Sequence, residues 1–150
     1  MIHFEGDKFF PLPLHLAAAK LSDAGFLAGT LPDAEVTEAV AERAAWKIKP
    51  KLAFLSGSLN VELTRTAAEP DKSVAFQVLA KAIGATSTVV VTLAFAEKDG
   101  KDGGTAVHWT GDLTQVTGLL KMVPKGLLQG SAHKVIEEVW SAVEAKLTVG

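Results

Sequence analysis

Residues 35–116 form one strand-like segment after another with no helical segment between them, and this constrains the fold more than any other feature. Apolar and polar side chains alternate in each segment, as with Trp46 and Ile48 against Lys47 and Lys49. Gly, Pro and Asp mark turns about every ten to fifteen residues. Strands joined by short turns pair as antiparallel neighbours, whereas a parallel sheet needs a helix between successive strands. The stretch therefore predicts an antiparallel sheet.

A long amphipathic helix is predicted after the strands. Its apolar residues recur at i, i+3 and i+4 spacing, which places them on one face of a helix. These residues are Leu128, Ala132, Val135, Ile136, Val139, Val143 and Leu147. Gly118, Pro124, Gly126 and Gly130 interrupt the front of the segment. The helix is therefore expected to begin near Gly118 and bend, or to begin only after Gly130.

The segment before these strands predicts one strand and two short helices. Residues 1–10 favour a first or edge strand, and Pro13 suits the start of a helix over 13–21. Ser22 and Asp23 can cap a second short helix that Gly29 ends. We therefore expect a single α+β domain over 1–150. In it, a curved antiparallel sheet of about six to seven strands wraps around a long C-terminal helix.

The composition of the 150 residues excludes several classes of protein. The net charge is −2, so there is no excess of Lys and Arg for binding nucleic-acid phosphates. There is no cysteine, which excludes disulfides, zinc thiolate sites and cysteine nucleophiles. Residues 1–10 carry charges, and the longest uncharged run, 82–96, is too short to span a membrane. We expect a cytoplasmic monomer or homodimer, and a peripheral membrane contact stays open.

The ionisable residues show no pattern typical of catalysis or metal binding. The four histidines are not spaced with carboxylates as metal ligands are. Ser56 lies between two predicted strands, not on the strand-to-helix turn of a serine nucleophile. His108 and Asp112 share one strand parity and could act as a base with its orienting carboxylate. That parity is opposite to Trp109, so both are expected to face solvent. We expect no catalytic residue, no metal and no cofactor.

Several short motifs resemble those of a known family. They are Leu31–Pro32–Asp33, Trp46–Lys47–Ile48–Lys49–Pro50, Phe54 with Gly57, Gly103–Gly104–Thr105, Trp109, and Gly118–Leu119–Leu120. On these residues the chain resembles the CoxG family of carbon monoxide dehydrogenase subunits, within the START-like, helix-grip (SRPBCC) superfamily. It departs from the family at Asp33 and Lys49, where glycine is usual. The resemblance implies a helix-grip fold with an interior cavity, and a role in recruiting or maturing a molybdenum-containing CO dehydrogenase at the membrane.

The inward-facing apolar residues are the predicted walls of such a cavity. They are Phe26, Trp46, Phe54, Phe76, Val91, Leu93, Val107 and Trp109 from the short helices and the sheet, and Leu128, Ala132, Val135, Ile136 and Val139 from the C-terminal helix. The same residues could instead fill a close-packed core, and the residues alone leave both alternatives open. A cavity is favoured because the resemblance implies one.

Three functions remain as hypotheses. The first is non-catalytic binding of an apolar small molecule, such as a lipid, a quinone-like compound, an isoprenoid or an aromatic molecule. The second is a polyketide cyclase or dehydratase, which needs ionisable groups inside the cavity. Glu38, Gln77, His15 or Asp112 pointing into the cavity would favour such an enzyme. The third is a protein-interaction module with a filled core. An all-apolar cavity would favour the first hypothesis.

Overall fold

The computed structural model describes residues 2–49, 57–98 and 104–149. The strands are β1 (Ile2–Phe10), β2 (Glu35–Ala39), β3 (Arg43–Ile48), β4 (Leu59–Glu69), β5 (Ser73–Ala82), β6 (Ala85–Glu97) and β7 (Thr105–Gly118). The helices are α1 (Leu14–Leu21), α2 (Ala24–Gly29) and α3 (Lys125–Val149), and a 3-10 helix at Leu119–Met122 precedes α3.

Within these described ranges, the seven strands form one antiparallel sheet in the order β1-β7-β6-β5-β4-β3-β2. Each strand from β2 to β7 pairs with its neighbours in sequence, as the short turns predict, and β1 pairs with the free edge of β7. The chain therefore has to cross from one edge of the sheet to the other between β1 and β2. Helices α1 and α2 make this crossing, with α1 against β6 and α2 against β2 and β3. The predicted α+β fold class is confirmed.

Local sequence signals explain the two short helices. Pro13 lies directly before α1, where its fixed φ of −55° and its missing N–H are tolerated. The side chain of Asp23 caps α2 by accepting a hydrogen bond from the backbone N–H of Phe26, at 3.1 Å. The sides that these helices bury are mostly alanine, with Ala17, Ala18, Leu21, Ala24 and Ala28 enclosed. Small side chains let both helices approach the sheet closely.

The hydrophobic core lies at one end of the space between the sheet and the helices. Its largest members are Phe10, Leu21, Val74, Phe76, Leu93, Phe95, Val107, Trp109, Trp140, Val143 and Leu147. The ring of Trp140 lies 6.1 Å from that of Phe10 and 6.2 Å from that of Trp109, measured between ring centroids. The C-terminal half of α3 is therefore fixed to the sheet by an aromatic cluster.

The start of α3, at Lys125, lies between the two predicted starts. Helical structure begins directly after Gly118 as a 3-10 helix and is interrupted before Lys125, so the start after Gly130 is wrong. The carbonyl of Pro124 accepts the first helical hydrogen bond of α3, from Leu128 at 3.0 Å. Gly118 has a φ of 63°, and a Cβ there would lie 1.9 Å from the carbonyl oxygen of Gly84. Only glycine fits this contact between β7 and the β5–β6 turn.

The packing of α3 predicts a contrast between its two ends. Leu147 is fully buried, whereas the Leu127 side chain is 54% exposed near the start of the same helix. Leu147→Ala should lower the free energy of unfolding by about 2–5 kcal/mol, because it removes buried methyl groups and leaves a void. Leu127→Ala should change it by less than about 0.5 kcal/mol. Urea unfolding followed by tryptophan fluorescence measures both, and equal losses would contradict the described packing.

Candidate functional site

The N-terminal half of α3 stands away from the sheet. Trp140, Val143 and Leu147 are buried, but Val139 and Val135, one turn and two turns before Val143, are 39% and 42% exposed. Because the curved sheet and the helix separate at this point, a cavity of about 920 Å³ lies between them. It opens to solvent beside Val135 and Val139, which line it. The cavity is thus a consequence of a helix that packs over only part of its length.

The sheet supplies one wall of the cavity through the alternate residues that face inward. The apolar residues of this wall are Phe4, Trp46, Ile48, Leu59, Val61, Val78, Ala80, Ala82, Ala85, Val89, Leu113 and Val116. On β5 the inward side chains shrink from Val78 to Ala80 and Ala82 toward the end of the strand. These short side chains leave the volume that larger residues would fill.

The opposite wall comes from α3 and from the loop before β2. On α3 the apolar lining residues are Leu128, Ala132, Val135, Ile136, Val139 and Ala142, and Leu120 of the 3-10 helix continues them. Leu31 and Pro32 close the side next to β3. On the side next to β1, Nζ of Lys8 lies 3.5 Å from Oε2 of Glu137 and bridges β1 to α3. This ion pair ties the helix to the edge strand beside the cavity.

The polar groups of the cavity lie mainly at its rim. The charged lining residues are Asp33, Lys49, Lys134, Glu137 and Glu138, and all five are exposed. Ser87 of β6 and Ser131 of α3 are half-buried and place hydroxyl groups on the two opposite walls. An apolar interior with a few hydrogen-bonding groups is typical of sites for small apolar ligands.

Comparison with known proteins decides the family. The sequence profile of CoxG, a carbon monoxide dehydrogenase subunit, matches residues 17–148, which is most of the chain. The chain belongs to the CoxG family. A search of the curated proteins found no match.

Solved structures show the same fold at low sequence identity. A conserved protein from Geobacillus kaustophilus is similar with a TM-score of 0.81 and 13% identity, over 97% of this chain and 95% of that chain. A START superfamily protein from Mycobacterium smegmatis gives a TM-score of 0.68 and 10% identity, over 97% and 96% of the two chains. Protein CV1439 from Chromobacterium violaceum gives 0.68 and 13%, over 97% and 96%. These similarities show that the CoxG family member shares its fold with these proteins, one of which is described as a START superfamily protein.

The predicted cavity residues divide between the cavity and the core. Six line the cavity of this CoxG family member: Trp46, Leu128, Ala132, Val135, Ile136 and Val139. Four lie in the core cluster instead: Phe76, Leu93, Val107 and Trp109. Phe26 and Val91 pack against that cluster, and Phe54 lies outside the described residues. The core residues share the inward parity of the lining residues, but they lie at the closed end of the sheet.

The sequence missed lining residues of two kinds, large apolar ones such as Val61 and Val78 and others that are small or polar. Ala80, Ala82, Ala85 and Ser87 face the cavity from β5 and β6. An apolar-residue search passes over such positions, although strand parity places them on the same face as Val78. Trp140 was also missed, and it anchors α3 in the core. Its position four residues after Ile136 and three before Val143 is the signal that could have found it.

The histidines and carboxylates of the sheet form pairs on its outer face. His108 and Asp112 point outward as predicted, and each pairs with a residue of β1. Nδ1 of His108 lies 2.9 Å from Oδ1 of Asp7, and Nδ1 of His3 lies 2.5 Å from Oδ1 of Asp112. The register that sets Asp7 opposite His108 and His3 opposite Asp112 creates both pairs.

The described residues were also searched for metal-binding groups and for membrane-spanning helices. Their His, Asp and Glu side chains form no group of three or more that could hold a metal ion. Among the helices of these same ranges, none is long and apolar enough to cross a bilayer.

The contacts of His3 with Glu5 and Asp112 on the outer face of the sheet predict a measurable change in the pKa of His3. Hydrogen bonds to Glu5, at 2.9 Å, and to Asp112 raise the pKa of His3 above its ordinary value of 6.5. Asp112→Asn should lower this pKa, as NMR titration of the imidazole carbons can measure. Because the folded pKa is the higher one, protonated His3 stabilises the fold below pH 6.5, and this contribution fades as the pH rises through the raised pKa. A His3 pKa unchanged by Asp112→Asn would contradict the pairing.

Proposed function

We propose that the protein binds an apolar small molecule in the cavity under α3 and does not act on it chemically. The ligand class is a lipid, a quinone-like compound, an isoprenoid or an aromatic molecule. The observation that carries this proposal is the cavity of about 920 Å³ with apolar walls on both the sheet and the helix. Ligand pockets of proteins commonly have volumes of about 300–1,000 Å³.

The size of the cavity separates a ligand site from a packing defect. An empty apolar void costs about 24 cal/mol per Å³, so a closed void of this volume would cost roughly 20 kcal/mol. That exceeds the total stability of an ordinary domain, which is about 5–15 kcal/mol. The cavity is not a closed void, because it opens to solvent beside Val135 and Val139, and its apolar walls favour an apolar ligand over water.

The ionisable residues that line the cavity are all exposed at its rim, and this supports binding over catalysis; they are Asp33, Lys49, Lys134, Glu137 and Glu138. A cyclase needs an acid or a base within reach of its substrate. Of the four residues whose presence in the cavity would favour an enzyme, His15 contacts Asp71, Glu38 contacts Arg43 and Asp112 contacts His3. Gln77 is exposed on the outer face of β5. None of the four is among the described residues that line the cavity.

Membership of the CoxG family supports a partnership with a molybdenum-containing CO dehydrogenase. In this role a cytoplasmic carrier would deliver or remove an apolar molecule for the enzyme, or help to recruit it to the membrane. The carrier itself would need no cofactor. Co-purification of the enzyme with the tagged protein from the native host tests the partnership. If the enzyme does not co-purify in a buffer of low salt concentration, the proposed partnership is wrong.

A blocking substitution tests the cavity. Val139 lines the cavity and is partly exposed, so Val139→Trp should fill space without displacing packed neighbours. His133→Trp is the matched control, because His133 is exposed on the same helix and does not line the cavity. Nile red fluorescence should report binding to the natural protein and to the control, with binding lost in Val139→Trp. The melting temperatures of all three proteins should agree.

Other outcomes would count against the proposal. If the space were close-packed, Val139→Trp would cost about 1–3 kcal/mol and the melting temperature would fall. If the natural protein does not bind Nile red and the melting temperature of Val139→Trp falls, the cavity proposal is wrong. The remaining hypothesis is then a protein-interaction module with a filled core. Native mass spectrometry of protein purified from its own host should show a bound apolar molecule, which identifies the ligand class.

A further inference from the structure

Two hydroxyl groups face the otherwise apolar interior of the cavity. Ser87 lies on β6 between Ala85 and Val89, and all three line the cavity from the same face of the strand. Ser131 lies on the opposite wall, in α3, one turn before Val135. Both serines are half-buried, whereas the charged lining residues are exposed. The two serines are therefore the polar side chains that a ligand inside the cavity would meet.

The two serines lie at the same end of the cavity. Ser87 is near the start of β6, just after the β5–β6 turn at Gly84. The backbone N–H of Leu119, in the 3-10 helix that leads into α3, donates to the carbonyl of Gly84 at 2.8 Å. This hydrogen bond holds the start of α3 close to the start of β6. Because Ser131 lies within the first two turns of α3, it is on the side of Ser87, away from Trp140.

Neither hydroxyl has a partner in the protein. Within the described ranges, the side chains of Ser87 and Ser131 hydrogen-bond to no other residue. The hydroxyl of Thr86, which is next to Ser87 but on the outer face of the sheet, is paired with that of Thr117. A serine hydroxyl can both donate and accept a hydrogen bond. Each of the two serines therefore keeps its full hydrogen-bonding capacity for a molecule in the cavity.

Stability of the fold does not account for these two hydroxyls. Serine is less favourable than alanine inside a helix, because its hydroxyl competes for backbone hydrogen bonds, and Ser131 lies inside α3. In the sheet, Ser87 lies between Ala80 of β5 and Val116 of β7, which are apolar and also line the cavity. An alanine would pack as well at either position. The hydroxyls thus suit recognition of a ligand better than they suit packing.

The charges around the cavity disfavour an anionic group inside it. Of the charged lining residues, Asp33, Glu137 and Glu138 are acidic, and only Lys49 and Lys134 are basic. Lys134 lies one helical turn from both glutamates, which offset its charge. A carboxylate in the interior would lose its hydration without meeting a buried cation, and this is costly. A neutral oxygen group has no such requirement.

We propose that Ser87 and Ser131 form a polar subsite for a neutral oxygen group of the ligand, a carbonyl or a hydroxyl. The apolar body of the ligand then extends from this subsite toward Val89 and Val139, which line the cavity nearer to the core. The rise of an α-helix places Ser131 and Val139 about 12 Å apart along α3, a length that suits a fused aromatic ring system. The inference rests on the proposed function, because the subsite acts only when a ligand occupies the cavity.

Three pyrene compounds, substituted at the same ring carbon, test the subsite. Acetylpyrene has a carbonyl, ethylpyrene has a methylene group in its place, and pyrenecarboxylate is charged and should bind most weakly. Quenching of tryptophan fluorescence measures binding, because Trp46 lines the cavity. Ser87→Ala and Ser131→Ala should each raise the Kd of acetylpyrene about two- to tenfold, the effect of one lost neutral hydrogen bond. The Kd of ethylpyrene should stay the same in both variants.

Ser73→Ala is the matched control. It removes the same hydroxyl group from a half-buried serine of β5 that does not line the cavity, so the Kd of each compound should be unchanged. Thermal melts check the fold of every variant. Ser131→Ala should not lower the melting temperature, because alanine is the better helix former. A clear fall would assign the Ser131 hydroxyl to the fold instead of to a ligand.

Other results would also overturn the subsite. An equal rise in the Kd of acetylpyrene and ethylpyrene would show that the serines only shape the cavity, and unchanged binding of acetylpyrene would show that their hydroxyls contact only water. Tighter binding of pyrenecarboxylate than of acetylpyrene, lost in Lys134→Gln, would make the polar group an anion held at the rim. In these cases, binding of ethylpyrene by the natural protein would leave the proposed function intact. If none of the three compounds quenches tryptophan fluorescence, the cavity function itself is wrong, and the subsite with it.

Discussion

The rest of the structure depends on where α3 is fastened to the sheet. Trp140 packs between Phe10 and Trp109, and Val143 and Leu147 are buried beyond it. A helix of this length extends over ~37 Å, whereas a twisted antiparallel sheet curves away from a straight axis. Contact at one end therefore forces separation at the other. This geometry separates the front of α3 from the sheet and makes room for the cavity.

The sizes of the inward side chains then keep the separated half open. Phe76 and Trp109 fill the closed end of the sheet, while Ala80, Ala82 and Ala85 face the cavity at the other end. Large residues at the second set of positions would fill the same volume and turn the domain into a solid core. The gradient from large to small along the inner face thus divides the domain into a part that stabilises it and a part that can hold a ligand.

Strand parity made much of this fold predictable from the sequence, and parity alone could not place the cavity. The alternation of Trp46 with lysines identified the inner face, and Asp23 marked the start of α2. Yet Trp46 and Trp109 share that inner face, and only one of them lines the cavity. Whether an inward residue contacts α3 or lines the cavity depends on how far it lies from the end of the sheet where Trp140 packs. That distance is set by the curvature of the whole sheet. The pairing of Asp7 with His108 joins strands far apart in sequence, so local pattern could not reveal it.

The division between the two ends also explains how the front of α3 can carry residues that do not serve stability. Because Trp140 and the residues after it hold the helix, the segment before Ile136 contributes little buried area to the core. Exposed side chains such as Met122, and a lysine at the first position of α3, are tolerated there at small energetic cost. A cavity that widens at this end would separate α3 from the sheet without disturbing the aromatic cluster. The end of the domain that contributes least to folding is thus the end where a ligand can enter the cavity.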